Sequence, residues 1–363
     1  MAGRTGGSTI GMATLAEHAA DGPADRDGGQ GDTSRPVTIA FIAESAGVSV
    51  PTVSKVINGR SGVSADTRAR VEALVEEYGY RKPTGANRSN VVELVFRELE
   101  HMWAVEIIRG VERVARRHRV GLMVSEFGLH DSAEPTWDDT VSRRPRCVLS
   151  VAQLSEAERA QLKAKGIPFV VFDPATELPD DVPFVGATNW SGGRAATRHL
   201  TALGHRRIAM IGGPEDQLYC CARLDGYRSA MHAAGLPADP ELVVHAPLTR
   251  EDGCEAARSL LALPDRPTAI FTANDLQALG VYQAAREAGL RIPDELSVVG
   301  FDDLPVVAWV DPPLTTVHQP LTEMAAAATE LALTLGRGEQ APQTGLEIAT
   351  TLTVRSSTAP PRS

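Results

Sequence analysis

No run of about 18 consecutive apolar residues occurs in this chain of 363 residues, so a membrane-spanning helix is not expected. The first 35 residues lack a charged start leading into an apolar stretch. They are rich in Gly, Asp, Ala and Thr and read as a disordered tail, not a secretory signal. Cysteine is sparse: Cys147, Cys220, Cys221 and Cys254, none in CxxC spacing. That is no disulfide framework for so long a chain, and reduced thiols in a cytoplasmic protein are the expectation. No GxSxG, HExxH, Walker lysine motif or GxGxxG occurs, so the common catalytic signatures are missing. Neither an enzyme nor a bound cofactor is expected. His199 and His205 stand six apart across a Leu-Gly helix end, a spacing set aside as a metal site.

Positive charge is also short overall. The net charge of −10 argues against a protein that coats nucleic acid. Its distribution says more. From Pro36 to Asn90 there are seven Lys or Arg against five Asp or Glu, and the rest of the chain holds the negative excess. A small basic module on an acidic body suits local DNA contact with little nonspecific adhesion. Apolar residues make up 43% of the chain, enough for a large core and two or three domains.

Within the basic module, Thr38 can cap a helix in which Ile39, Ile42, Ala43 and Ala46 recur at helical spacing. Gly47 supplies a sharp turn and Val48 a plug between two helices. Ser49 reads as the next cap, with Pro51 in the first turn where a missing N–H costs nothing. Val53, Val56 and Ile57 then face inward, while Val50, Pro51, Thr52, Ser54 and Lys55 lie on or near the outer face. A third helix runs from the cap Ser64 through Val71 and Leu74 to Tyr78. Three short helices with such a turn make a helix-turn-helix.

The stretch "TIAFIAESAGVSVPTVSKVINGRSGVSADTRARVEALVEEYGY" resembles the DNA-binding domain of the LacI/GalR family of bacterial transcription regulators, from Val37 to Arg81. The resemblance implies that Val50, Pro51 and Lys55 read bases and that Thr52, Ser54 and Asn58 mostly hold the DNA backbone. Lys55 can bond guanine O6 or N7, whereas Val50 and Pro51 offer only apolar contact. The hydroxyls of Thr38, Ser49 and Ser64 can grip phosphates. The hinge departs from the family pattern. Where the family has a hinge helix and a leucine wedge, this chain reads "YRKPTGANRSNVVELVF", with Ser89 and Asn90 at the wedge position and a shorter linker. Leucine intercalation is therefore expected to be absent or altered.

Beyond the linker, "VVELVF", "GLMVSEF", "RCVLSVA", "IPFVVFD", "RIAMIGG", "TAIFTAN" and "LSVVGFD" read as buried strands. Helical stretches such as "SGGRAATRHLTALG" and "DLQALGVYQAAREAGL" alternate with them, which implies doubly wound parallel sheets. In "SGGRAA" the glycines are expected to let a helix pack tightly on its sheet. The segments "VGATNWSGGRAATRHLTALGHRRIAMIGGP", "ARLDGYRSAMHAAGL" and "PTAIFTANDLQALGVYQAAREAGLRIPDELSVVGFDDLP" resemble the same family's effector-binding core. The implied fold is an all-α helix-turn-helix domain plus an α/β two-lobed, periplasmic-binding-protein-like core. The expected division is a disordered tail over 1–35, the DNA-binding domain over 36–82, a short hinge over 83–90 and the core over 91–359. The N-lobe takes about 91–186 and 319–345, the C-lobe about 187–317 and 346–359, with crossovers near Gly186, His318 and Leu346. The chain after Ser356 reads as a flexible end, with 360–363 outside the core.

Ligands of open α/β sheets bind beyond the carboxyl ends of strands, where Asp173, Asn274 and Asp302 stand. Arg223 follows a glycine-rich strand exit. The resemblance assigns Arg223, Asn274 and Asp302 to the effector. Asp173 is added by position, and Trp103 as a stacking face for a sugar or as ordinary packing or a dimer contact, with Glu106 one turn later. Helix capping is the alternative for the strand-end Asp and Asn. Leu248 stands near where nucleobase-binding members carry an aromatic, which favours a sugar over a purine. The resulting expectation is a cytoplasmic homodimeric repressor of carbohydrate-utilisation genes on a pseudo-palindromic double-stranded operator, released when a sugar binds, with no membrane contact. A purine- or other metabolite-responsive repressor is one alternative. A sugar-binding receptor or an enzyme on the same lobes is another.

Overall fold

A computed structural model describes residues 38–57, 60–80, 88–97, 99, 102–127, 137–341 and 343–362. The expected tail, Asn58 and residues 83–87 of the expected hinge lie outside the described residues. The chain divides into two compact units, one ending at residue 83 and one beginning at 84.

The first unit contains α1 (Ile39–Ala46), α2 (Val50–Ile57) and α3 (Ala65–Glu77). Thr38 Oγ1 accepts the Phe41 N–H at 3.2 Å and opens α1. Gly47 closes it at φ 63°, a left-handed conformation that glycine adopts without a Cβ penalty. The Gly47 N–H then donates to Glu44 O at 3.1 Å and the Val48 N–H to Ala43 O at 3.0 Å. This double closure turns the chain sharply and leaves Val48 against the core. Ile42 of α1, Val53 of α2 and Val71 of α3 are each fully buried and meet at the centre. Ser64 caps α3 through the Thr67 N–H. Arg68 of α3 donates to the carbonyls of Val56 at 3.4 Å and Arg60 at 2.7 Å, tying the end of α2 to α3.

The second unit holds two α/β lobes. The N-lobe begins with β1 (Val91–Phe96), α4 (Met102–Arg117), β2 (Gly121–Glu126), α5 (Trp137–Arg143), β3 (Cys147–Ser150), α6 (Glu156–Ala164), β4 (Phe169–Phe172) and β5 (Phe184–Ala187). The C-lobe follows with α7 (Asn189–Ala202), β6 (Ile208–Gly212), α8 (Leu218–Ala233), β7 (Val243–His245), α9 (Arg250–Leu261), β8 (Ala269–Thr272), α10 (Asp275–Glu287), β9 (Ser297–Asp302) and β10 (Thr315–His318). The chain returns to the N-lobe for α11 (Leu321–Gly336) and β11 (Gly345–Ile348), then ends in the C-lobe with β12 (Thr351–Thr353).

Sheet order is β11-β5-β4-β3-β1-β2 in one lobe and β12-β10-β9-β8-β6-β7 in the other. Every pairing is parallel except β12 on β10, an antiparallel edge strand. β11 pairs with β5 from Gly345 opposite Phe184 to Ile348 opposite Ala187. The third crossing therefore lies at 349–350, beyond the expected Leu346, because Leu346 to Ile348 complete the N-lobe sheet. The other crossings are at Thr188 and at 319–320.

Helices cover the central strands on both faces, so β1, β3, β4, β6, β8 and β9 are buried almost throughout, while β2, β7, β11 and β12 are more exposed. Val92, Leu94 and Phe96 of β1 pack with Ile107 and Val111 of α4 and Met324 and Ala328 of α11. Val95 points the other way, toward Val141 and Leu162. Glu93 breaks the run. It is fully buried, and its Oε1 accepts from Ser125, Thr140 and Arg143. The carboxylate thus pins α5 to the sheet where an apolar residue could only pack.

The C-terminal segment corrects the sequence expectation. Ser357 is fully buried; its hydroxyl donates to Val298 O at 2.6 Å and accepts the Thr315 N–H at 2.7 Å. His205 holds Ala359 O at 2.9 Å, and His199 meets Thr358 at 2.9 Å. The end of the chain is docked because it satisfies polar groups at strand starts that side chains of the lobe leave open. Ser89 and Asn90, expected in the hinge, belong to the lobe as well. The Ser89 N–H donates to Arg144 O at 2.8 Å and Asn90 Nδ2 to Arg119 O at 3.0 Å.

Helices α7 and α8 touch backbone to backbone. A Cβ on Gly193 would lie 2.1 Å from the carbonyl oxygen of Arg223, while one on Gly192 would strike the Phe301 ring. The "SGGRAA" glycines therefore seat α7 on α8 as well as on the sheet. Gly193→Ala must push α8 away, and overpacking of this kind costs about 1–3 kcal/mol. An unfolding free energy lowered by that amount, from urea titrations read by circular dichroism, is the expected result; an unchanged midpoint would contradict the close approach.

Candidate functional site

On the first unit, α2 presents Val50, Pro51 and Lys55 as exposed side chains, with Thr52 and Ser54 partly exposed beside them. Val53 and Val56 anchor the opposite face. Ser49 shares its hydroxyl with that of Thr52 at 2.9 Å, on the exposed side of the helix start. The Thr38 and Ser64 hydroxyls cap α1 and α3, and Ser64 also donates to the Thr67 hydroxyl at 2.8 Å. The result is a rigid short helix with one cation and small groups on its outer face, and hydroxyls exposed at three helix starts.

In the second unit a cavity of about 540 Å³ lies between the lobes. Its lining includes Trp103 and Asp173 from the N-lobe and Arg223, Asn274 and Asp302 from the C-lobe. All five sequence candidates for the effector thus share one cavity. Strand geometry places three of them: Asp173 follows β4, Asn274 follows β8 and Asp302 ends β9, at strand carboxyl ends. Asp173 and Asp302 adopt φ of 44° and 113°, left-handed values that Asp tolerates better than most side chains.

Arg223, on α8, is 3% exposed. Its Nε donates to Asn189 Oδ1 at 2.9 Å, Nη1 to Ala273 O at 2.6 Å and Nη2 to Gln319 Oε1 at 2.9 Å. The guanidinium carbon lies 3.7 Å from the centre of the Phe301 ring, and Asp302 Oδ1 is 3.6 Å from Nη1. Gln319 and Asn189 turn their amide nitrogens to Asp173, at 2.9 Å and 3.5 Å. One guanidinium thus faces two carboxylates, with a third close by. Asp275 is fully buried and accepts from the Thr316 hydroxyl at 2.6 Å and the Leu304 N–H at 2.8 Å. Burial pushes the Asp302 carboxyl up to about 7; Arg223 opposes the rise and Asp173 adds to it. Burial raises Asp173 too, against the pull of Arg223. Asp275 is driven well above the ordinary range by burial and then by Asp302.

Asn274 does what the capping alternative supposed. Its Oδ1 accepts the Gln277 N–H at 2.9 Å and its Nδ2 donates to Leu248 O at 2.9 Å, although the residue also lines the cavity. Trp103 lines the cavity and packs its ring 5.8 Å from that of Phe96. Glu106 serves the fold, accepting from Arg109 and from the Thr322 hydroxyl of α11. Leu248 lines the cavity, but planar surfaces are present all the same, from Trp103, Phe172 and Tyr219.

Sequence reasoning missed Gln319, Asn189 and Tyr219. Gln319 directly follows β10, so the strand-end rule that found Asp173 would have found it had β10 been read as a strand. Asn189 follows β5, which was also unread. Tyr219 sits on α8 and carries no such signal. At the rim the lobes meet through the main chain, where the Leu218 N–H donates to Ala175 O at 2.8 Å.

The raised carboxyl makes stability depend on pH. Below about pH 4 Asp302 is protonated in both folded and unfolded chains and contributes nothing. As pH rises toward about 7 the unfolded chain releases the proton while the folded one retains it, so stability is lost across that interval and stays lost above it. Thermal melts of the ligand-free protein at constant ionic strength should decline from about pH 4 to about pH 7, and Asp302→Asn should flatten part of that decline. An identical slope in the variant would show that Asp302 does not hold its proton.

The model of the bacterial regulatory proteins of the lacI family matches residues 38–82, and that of the periplasmic binding protein-like domain matches 197–358. The HTH-type transcriptional repressor CytR of Escherichia coli (strain K12) is 32% identical over 312 residues, 83% of this chain and 90% of CytR. A solved complex of the transcriptional regulator CelR with cellobiose is 33% identical, with a TM-score of 0.69 over 89% of this chain and all of that one. The lac repressor dimer bound to operator and the anti-inducer ONPF is 26% identical, with a TM-score of 0.64 over 90% of this chain and all of that one.

Proposed function

The chain belongs to the LacI family of bacterial regulatory proteins, and on that premise we propose that it is a cytoplasmic homodimeric repressor of carbohydrate-utilisation genes, released from its operator by a sugar bound between the lobes. It is a sequence-specific DNA-binding regulator, and the proposal concerns its effector and the residues that serve each step. Two helix-turn-helix heads of a two-fold dimer meet two half-sites of a pseudo-palindrome. Lys55 donates to guanine, and Val50 and Pro51 contact thymine methyls. Thr52, Ser54 and Asn58 hold the backbone, and the hydroxyls of Thr38, Ser49 and Ser64 bond phosphates.

The observation that carries the effector reading is the convergence of Asp173, Arg223, Asn274 and Asp302 on one cavity with aromatic walls. A polyol supplies donors to the carboxylates, an acceptor to the guanidinium and a C–H face to Trp103, so buried charges gain partners that water would otherwise provide. The relative solved with cellobiose supports a sugar. A second reading, a ligand with a nucleobase-like ring, is favoured by the planar surfaces of Trp103, Phe172 and Tyr219. Effector that binds one lobe arrangement better than another shifts the population and misaligns the heads, with a coupling of about 1–3 kcal/mol.

Genomic DNA captured by the full-length protein identifies the operator, and anisotropy titrations of that duplex with a panel of sugars and nucleosides test release. Lys55→Ala should relax base preference at one position per half-site, by about 1–3 kcal/mol of discrimination. Arg223→Ala should abolish the response of the DNA complex to the effector. A complex that ignores every sugar but dissolves with a nucleoside would select the second reading, and a normal response in Arg223→Ala would remove the cavity from the mechanism. Turnover of a sugar by the purified protein would point instead to an enzyme on this fold.

A further inference from the structure

We infer that Asn189 and Gln319 are positioning residues that join the two lobes through a polar relay, holding Asp173 of the N-lobe against Arg223 of the C-lobe. The two amides stand at two different crossings between the lobes, Asn189 just after the first and Gln319 within the second. Each has the same polarity. Its oxygen accepts from Arg223, at 2.9 Å in both cases, and its nitrogen donates to Asp173, at 3.5 Å from Asn189 and 2.9 Å from Gln319. Both residues are buried. An amide can serve a guanidinium and a carboxylate together, because it carries an acceptor at one atom and donors at the other. A carboxylate in its place would keep the bond to Arg223 and repel Asp173.

The third crossing is built differently. Thr350 there donates its N–H to the Thr188 hydroxyl at 2.9 Å and its hydroxyl to Thr188 O at 3.1 Å, a tie that includes neither Asp173 nor Arg223. Two crossings are thus wired to the cavity's charges and one is not. A ligand that accepts hydrogen bonds from Arg223 or donates them to Asp173 competes with the amides and resets the hinge directly. That consequence rests on the reading of the cavity as the effector site; the relay itself does not.

The test uses the full-length protein without ligand, so its failure would leave the effector reading standing. Spin labels at Lys165→Cys and Arg286→Cys, both exposed and one in each lobe, report the inter-lobe distance by double electron–electron resonance, in a Cys221→Ser background. A second pair at His232→Cys and Arg286→Cys reports the C-lobe alone. Gln319→Glu should add a displaced inter-lobe distance population while leaving the C-lobe pair unmoved. Combining it with Asp173→Asn should restore the original distribution, since the introduced amide would donate to the introduced carboxylate and still accept from Asn189. An Asn side chain tolerates the φ of 44° at this position as Asp does. Thr350→Val should not displace the inter-lobe population. Asn189→Ala should displace it, and serves if Gln319→Glu does not fold. An inter-lobe distribution unchanged in both amide variants, no rescue by Asp173→Asn, or an equal displacement in Thr350→Val would each overturn the relay.

Discussion

A guanidinium that is almost wholly buried must have its N–H groups bonded, and that requirement organises the core of this protein. Arg223 takes its acceptors from a strand-end carbonyl, from both hinge amides and, more loosely, from Asp302. The amides in turn reach Asp173. Breaking any one of these pairings leaves a buried charge or donor unpaired, which costs more than a surface contact could return. The lobes are therefore linked through polar groups that a small molecule can also address. An apolar hinge would be as firm but would offer a ligand nothing to displace.

Three carboxylates near one guanidinium would be a liability if all were ionised. Burial moves each of them up, and Asp302 adds to the rise at Asp275, so their ionised forms are disfavoured. Hydroxyl donors from a ligand favour the ionised forms. The same donors are what a polyol brings, so the electrostatic imbalance and the proposed chemistry of the effector point the same way.

The head solves a different problem with different means. Its core is small, one fully buried residue from each helix at the centre, and its shape comes from local closures: a threonine and a serine at helix starts, glycine at the end of α1, and Arg68 bonded to one carbonyl in the last turn of α2 and one just after it. Such a unit needs few long-range contacts to hold α2 rigid. That rigidity lets a short helix present Lys55 beside two apolar side chains, a surface whose meaning lies in what it meets in a groove.

These two regimes explain what could be read in advance. The helix-turn-helix was legible because caps, the Gly47 turn and apolar spacing are all encoded within a few residues of where they act. Apolar runs such as "VVELVF" announced the buried strands, and the positions after them marked Asp173, Asn274 and Asp302. Short strands such as β5 and β10 carry weaker patterns, and with them went Asn189 and Gln319. The docked C-terminal end was likewise invisible, since Ser357 finds its partners 59 and 42 positions away. Sequence alone determined the helices of the head, the longer buried strands and the polar residues at the ends of those strands, because backbone closure and burial of apolar faces act locally. Only the tertiary structure decided which of those polar groups face one another: Arg223 meets Asn189 across 34 positions and Gln319 across 96, and Gln319 meets Asp173 across 146. Hydrogen bonding at such separations depends on how two sheets and three crossings pack, and no short stretch of chain contains that information.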